Sequence, residues 1–204
     1  MQSIFQKIFH LHHWYNDESI SGPGSSLSQT KTLREILPKI LSQLKVSSVL
    51  DIPCGDFNWI KEIDLSSYSY CGADIVHEIV SSNLSNYSRR NRHFVWADIT
   101  SSNLVQHDLI FCRDCLVHFS YADVFKAVIN IKKSNSQYLL TTTFPGRVNK
   151  DIKTGGWRPL DLQNDPFYFP PPIKLINEQC TEEYGRYSDK SLGLWAIENL
   201  PGFG

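Results

Sequence analysis

The 204-residue chain predicts an α/β fold: a doubly wound, mostly parallel seven-stranded sheet with helices on both faces and an antiparallel strand at its C-terminal end. Three observations carry the prediction. Short apolar runs of strand length alternate with segments whose apolar residues recur at helical spacing, which requires parallel strands joined by right-handed crossovers. The stretch 48–59, SVLDIPCGDFNW, is an apolar run broken at Pro53, Cys54 and Gly55 before a helix-compatible segment: strand, tight turn, helix. Last, 173–178 and 191–197 are strand-like and joined by the polar TEEYGRYSDK, an antiparallel pair closing the sheet.

In chain order, Ile4, Phe5, Ile8, Phe9 and the stretch Leu11 to Trp14 make a short amphipathic helix, docked on the domain or on a second copy in a homodimer. The N-terminal portion, 1–26, continues into the Gly/Ser-rich NDESISGPGSSLS at 16–28. That segment is either a flexible linker or a backbone able to approach an anionic or polar ligand closely. Over 27–44, Leu33, Ile36, Leu37, Ile40, Leu41 and Leu44 recur at helical spacing, with Pro38 expected to kink or split the helix. Strand 69–75, helix 76–87, strand 94–99, strand 108–112, helix 121–131 and strand 138–144 follow, and the connection 100–107 is too short for much helix. Segment 146–172 is long, with Gly155, Gly156, the run Pro170 to Pro172 and the aromatics Trp157, Phe167, Tyr168 and Phe169. So many large aromatics are incompatible with a disordered loop, so it is expected to fold over the site.

Composition excludes several classes. A hydrophobic fraction of 41%, a charged fraction of 20% and a net charge of −1 describe an ordinary globular domain, expected to be single over 1–204. Arg89, Arg90, Arg92 and His93 are the one candidate nucleic-acid patch and read as a solvated helix end, so no nucleic-acid partner is expected. Absent a membrane-length apolar run or a signal-peptide pattern, the expected location is cytoplasmic and the sequons at Asn83 and Asn86 are chance matches. Cys54, Cys71, Cys112, Cys115 and Cys180 are odd in number and read as reduced thiols; the Cys112/Cys115 pair lacks the partners of a zinc site.

In a sheet of this kind ligands sit at the carboxyl ends of the strands. Reading those tips gives Asp51, Asp74, Asp98 and then Cys112-Arg113-Asp114. Asp74 follows Asp51 at close to the spacing of about 20 residues expected for an acid that hydrogen-bonds ribose hydroxyls. Three tip acids in a row do not suit a pyrophosphate. They suit a ligand carrying a ribose and a positive charge.

With these residues the chain resembles class I S-adenosylmethionine-dependent methyltransferases, Rossmann-like enzymes, over roughly 27–197. The acidic-glycine motif of that family is matched by Asp51-Ile52-Pro53-Cys54-Gly55-Asp56, the ribose acid by Asp74 in GADIV, and the acid facing the adenine amine by Asp98 in WADIT, with Ile99 beside the ring. The resemblance implies S-adenosylmethionine as cofactor, S-adenosylhomocysteine as product, and a cofactor site drawn from Asp51, Pro53, Cys54, Gly55, Asp56, Trp59, Asp74, Ile75, Asp98, Ile99 and Arg113. Of the three glycines of the usual motif only the middle one, Gly55, is kept, with Pro53 and Phe57 at the flanking positions. A dinucleotide oxidoreductase, the alternative enzyme, tolerates that loss less because its pyrophosphate needs close backbone approach.

Methyl transfer chiefly requires alignment of nucleophile and methyl group, and a hydroxyl acceptor also requires a base. His118 is the first candidate and Asp114 the second, with Arg113 beside them; the bland alternative for His118 is a satisfied, half-buried histidine. No Asn/Asp-Pro-Pro-Tyr/Phe follows the fourth strand, which argues against methylation of nucleic-acid bases. Arg147, Trp157, Arg158 and Tyr168 are the candidate acceptor-binding residues, so the expected reaction is O-methylation of a small molecule or glycan. A non-catalytic cofactor-binding protein is the other alternative. No protein metal site is expected, although Asp98 and Asp114 can share a magnesium ion, as in some sugar methyltransferases of similar fold.

Overall fold

The computed structural model of the chain describes residues 1–14 and 16–203. Among these residues, β1 (Ser48–Asp51), β2 (Ser69–Asp74), β3 (Arg92–Trp96), β4 (Leu109–Cys112), β5 (Tyr138–Thr143), β6 (Lys174–Asn177) and β7 (Ser191–Ala196) form one sheet in the order β3-β2-β1-β4-β5-β7-β6. Its principal helices are α1 (Gln2–His10), α2 (Lys31–Leu44), α3 (His77–Tyr87) and α4 (Tyr121–Lys133). All contacts among β1 to β5 are parallel, and β7 runs antiparallel to both β5 and β6. The strand order reverses at β1, whose neighbours β2 and β4 are reached by crossovers in opposite directions. That reversal opens a crevice above the C-terminal ends of β1 and β4.

The central strands are apolar on both faces, as a sheet covered on both sides demands. Leu50, Ile110, Cys112, Leu139 and Trp195 face one way, toward Val124, Val128 and Ile131 of α4 and Phe5 of α1. Val49, Leu109, Phe111 and Leu140 face the other way, toward Leu33, Leu37, Ile40 and Leu41 of α2. These buried faces hold α2 together: it runs unbroken through Pro38, which removes one backbone hydrogen bond without splitting the helix. In α4, the Ser120 side chain accepts from the Asp123 N–H, Asp123 lies in the first turn, and Lys132 and Lys133 in the last, each placed to suit the helix dipole.

Four expectations need correction. No α-helix follows β1; the chain makes only a 3-10 turn at Ile60–Glu62 before β2. Positive φ at Gly55 (54°) and Phe57 (59°) breaks helical progression, and Phe57, Ile60, Ile63 and Leu65 are buried in the turns that follow. The turn at 53–56 therefore presents no helix dipole to a ligand. Strand β3 ends at Trp96, so Asp98 lies in the loop beyond it. Helix α2 starts at Lys31, with 26–30 folded into a turn in which Thr30 Oγ1 donates to the Ser26 carbonyl at 2.7 Å. Segment 146–172 does pack tightly, yet Leu160, Leu162, Phe167 and Phe169 bury themselves in the chain's own core.

Candidate functional site: a cavity above the parallel strand tips

A cavity opens at the reversal point. Its floor is the ends of β1, β2 and β4 with the loop after β3, contributing Asp51, Asp74, Asp98 and Arg113; its roof is the N-terminal segment, contributing Phe5, Trp14 and Ser21 among others. The two tip acids are buried, and neither makes an ion pair among the described residues. Burial pushes Asp51 up to about 7, against the 2.5 Å hydrogen bond it accepts from the Tyr70 hydroxyl and with a further push from Asp74. Burial likewise raises Asp74 to about 6, even though it accepts backbone N–H bonds from Val76 at 2.9 Å and Gly55 at 3.1 Å. Two buried carboxylates short of positive charge make a site for a cation. Asp98 is used locally, accepting from the Thr100 N–H at 2.9 Å and its hydroxyl at 2.6 Å.

The Gly/Ser segment is clamped onto the turn after β1. Asp56 accepts from Ser19 Oγ at 2.9 and 3.0 Å and from the Ile20 N–H at 2.9 Å, while its own N–H donates to Ser21 Oγ at 3.1 Å. Gly55 is required beneath that clamp, since a Cβ there would lie 2.4 Å from Ser21 Oγ. From the sheet side, the buried Asn83 donates to the Gly55 carbonyl at 2.7 Å. The segment is therefore a wall of the cavity and not a flexible linker. Helix α1 docks on the same domain, where Glu78 accepts from Gln6 at 2.7 and 2.9 Å and meets His10 at 2.8 Å.

At the end of β4, Arg113 and Asp114 enter a buried charge network. Arg113 donates to Glu178 through Nη2 at 2.8 Å and Nε at 3.2 Å, to the Gly24 carbonyl at 2.9 Å, and lies 3.3 Å from Asp114. Asp114 has φ of 51° and accepts from Lys190 Nζ at 2.6 Å. Burial would raise its pKa, but Lys190 and Arg113 together outweigh burial and hold the carboxyl well below its ordinary range. Asp114 is thus a permanently ionised, very weak base. The half-buried His118 stacks on Trp14, ring centroids 4.3 Å apart, and its Nδ1 meets the Gly156 carbonyl at 2.8 Å. A carbonyl only accepts, so Nδ1 carries the proton and Nε2 the lone pair. Burial lowers the His118 pKa to about 4, against the Gly156 bond and the Asp114 charge, so the ring is neutral at physiological pH.

The predicted cofactor residues Asp51, Pro53, Cys54, Gly55, Trp59, Asp74, Ile75, Asp98, Ile99 and Arg113 all line this one cavity, as do His118 and Asp114. Asp56 does not; it is spent on the clamp. The four acceptor-binding candidates also lie outside the lining. Arg147 pairs with Asp189 at 2.6 Å, Trp157 packs on Tyr187, and the exposed Tyr168 donates to Asp165 at 2.6 Å. Arg158 is buried, donating to the Leu116 carbonyl at 2.8 Å and the Phe119 carbonyl at 2.7 Å, where it fixes the turn that carries His118. Sequence reasoning missed Phe5 and Trp14 as cavity walls, Tyr70 as the partner of Asp51, and Glu178 and Lys190 behind β4. No local pattern marks the last three, because their partners are brought close only by strand pairing. Among the described residues no three His, Cys, Asp or Glu side chains converge as metal ligands, and no helix is long and apolar enough to cross a membrane.

Solved structures resemble this architecture. A Burkholderia thailandensis 1,6-didemethyltoxoflavin-N1-methyltransferase with bound 1,6-didemethyltoxoflavin and S-adenosylhomocysteine matches over 96% of this chain and 86% of its own, with a TM-score of 0.66 at 13% identity. The fold is the methyltransferase fold. The methyltransferase domain of bacterial CtHen1-CN matches over 84% of this chain and all (100%) of its own, with a TM-score of 0.59 at 9% identity. The chain spans about half (49%) of a Clostridium acetobutylicum S-adenosylmethionine-dependent methyltransferase that it also matches. No protein-family model and no curated protein matches the sequence.

Proposed function

We propose that the protein is an S-adenosylmethionine-dependent methyltransferase that methylates a hydroxyl group of a small molecule. One observation carries the reading: Asp51 and Asp74, buried side by side at adjacent strand tips, have their pKa values lifted, and neither makes an ion pair among the described residues, Arg113 only partly offsetting the burial of Asp51. S-adenosylmethionine supplies what they lack, an ammonium and a sulfonium, together with ribose hydroxyls that donate to a carboxylate. Ile75 and Ile99 provide apolar surface for the adenine, with Asp98 at its edge. A dinucleotide would instead bring its pyrophosphate against three carboxylates, with the one lining guanidinium already engaged by Glu178.

When bound, the cofactor supplies a methyl group on a positively charged sulfur. The chain's residues orient the acceptor and remove its proton. His118 Nε2 suits the second task despite its low pKa, because a hydroxyl oxygen becomes strongly acidic as its new bond to carbon forms. A neutral ring with a free lone pair then suffices.

The two aspartates set the pH dependence. Their folded pKa values lie above the ordinary carboxylate value of 3.8, so the protein without ligand loses stability as pH rises from that value to about 7. A cationic ligand binds the ionised forms and favours them. Calorimetric affinity for S-adenosylmethionine is expected to rise with pH through this window and level off by about pH 8, and NAD is expected not to bind. Affinity that is flat or falling over the window, or preferential binding of NAD, refutes the assignment.

A further inference from the structure

We infer that the methyl acceptor is a flat, uncharged aromatic hydroxyl compound, seated against Phe5, Trp14 and Phe119 with its hydroxyl toward His118. The inference rests on the methyltransferase reading and concerns the part of the cavity that the strand-tip acids do not occupy. There the lining turns aromatic. Phe5 lies 5.9 Å from Trp14 and 5.8 Å from Phe119 between ring centroids, and Trp14 lies 4.3 Å from His118. All four line the cavity, so a ligand beside His118 meets ring faces and edges.

Charge bookkeeping around that wall excludes ionic acceptors. Among the described residues Arg113 is the only arginine or lysine side chain lining the cavity, and its guanidinium is spent on Glu178, the Gly24 carbonyl and Asp114. A phosphate or carboxylate there faces four carboxylates, Asp51, Asp74, Asp98 and Asp114, with the Arg113 guanidinium already engaged. Conversely, Asp114 is already matched by Lys190 at 2.6 Å and Arg113 at 3.3 Å, so a cationic amine finds no unpaired carboxylate beside His118. A sugar, with a hydroxyl on almost every carbon, would press most of them against aromatic carbon, where an unpaired polar group loses its hydrogen bonds to water without replacement. Beside these rings His118 offers its Nε2, the other ring nitrogen, Nδ1, being held by the Gly156 carbonyl. That pattern matches one hydroxyl on an otherwise apolar ring system.

The test is calorimetric and needs no turnover. S-adenosylhomocysteine is titrated first, then naphthol, naphthyl phosphate, naphthylmethylamine and methyl glucoside are titrated into the loaded protein. Naphthol is expected to bind at least about tenfold more tightly than the other three, a difference of about 1.4 kcal/mol. Trp14→Ala and, independently, Phe119→Leu are expected to weaken naphthol while leaving S-adenosylhomocysteine affinity unchanged. Equal or tighter binding of the phosphate, the amine or the glucoside overturns the inference. So does a loaded protein that ignores naphthol, or naphthol affinity indifferent to both substitutions. Failure to bind S-adenosylhomocysteine in the first titration overturns the methyltransferase reading itself, and the acceptor inference with it.

Discussion

Arg113→Met lowers the free energy of unfolding by about 3–5 kcal/mol, read from urea denaturation. The guanidinium is buried, and burial alone would depress its pKa, yet Glu178 and Asp114 more than reverse that and raise it. Removing it leaves Asp114, Glu178 and Glu182 to share Lys190, whose Nζ is already 2.6 Å from Asp114 and 3.7 Å from Glu178. An uncompensated buried carboxylate is the costly outcome, more so than the lost hydrogen bonds. The double substitution Arg113→Met, Glu178→Leu removes both charges and is expected to recover most of the loss. Equal destabilisation in the single and double variants would show that packing over Trp59, 5.6 Å below the guanidinium, and not charge, holds this end of the sheet.

His118→Ala is expected to reduce methyl transfer to an accepted hydroxyl compound by about 10²–10⁴-fold with unchanged affinity for S-adenosylhomocysteine. The wild-type rate should show no step attributable to His118 above about pH 5, because a group titrating near 4 is already neutral there, and should fall as pH drops through that value. Asp114→Asn serves as the contrast. Its carboxylate is locked by Lys190 and Arg113, so its loss should act through stability and geometry and leave the acid limb of the pH profile in place. An acid limb that vanishes in Asp114→Asn but persists in His118→Ala would reverse the assignment of the base.

The parallel strands and the acids at their tips were legible because a strand buried on both faces is a continuous apolar run, and a carboxylate ends that run visibly. Asp51 and Asp74 mark the ends of β1 and β2, the two strands that Val49 and Tyr70 pair side by side. The region after β1 was not legible. Its apolar residues fit a helix, but left-handed conformations at Gly55 and Phe57 and the burial of Phe57 under Arg92, 5.0 Å above the ring, fold it as turns. Aromatic content misled in 146–172 because residue identity does not reveal which way a ring faces: Phe167 packs on Tyr121 and Phe125, and Arg158 spends its charge on backbone carbonyls. At the N-terminal segment, Phe5 of α1 and Trp14 beyond it read only as a docking stripe, and besides docking they wall the cavity. The alternatives for 16–28 could not be separated in sequence because the decision lies in Asp56, on the far side of the turn that the segment covers.

The two buried aspartates are the proposed seat of an adenosyl ligand with a positive centre. Calorimetric titration of S-adenosylmethionine into the wild-type protein and Asp74→Ala tests it most directly. Asp74 accepts the Gly55 N–H, so the unfolding curve of the variant is recorded alongside to confirm that the turn survives. Binding by the wild type and at least about a tenfold loss in a folded Asp74→Ala is the predicted result; equal affinity in the two proteins, or none in the wild type, contradicts it.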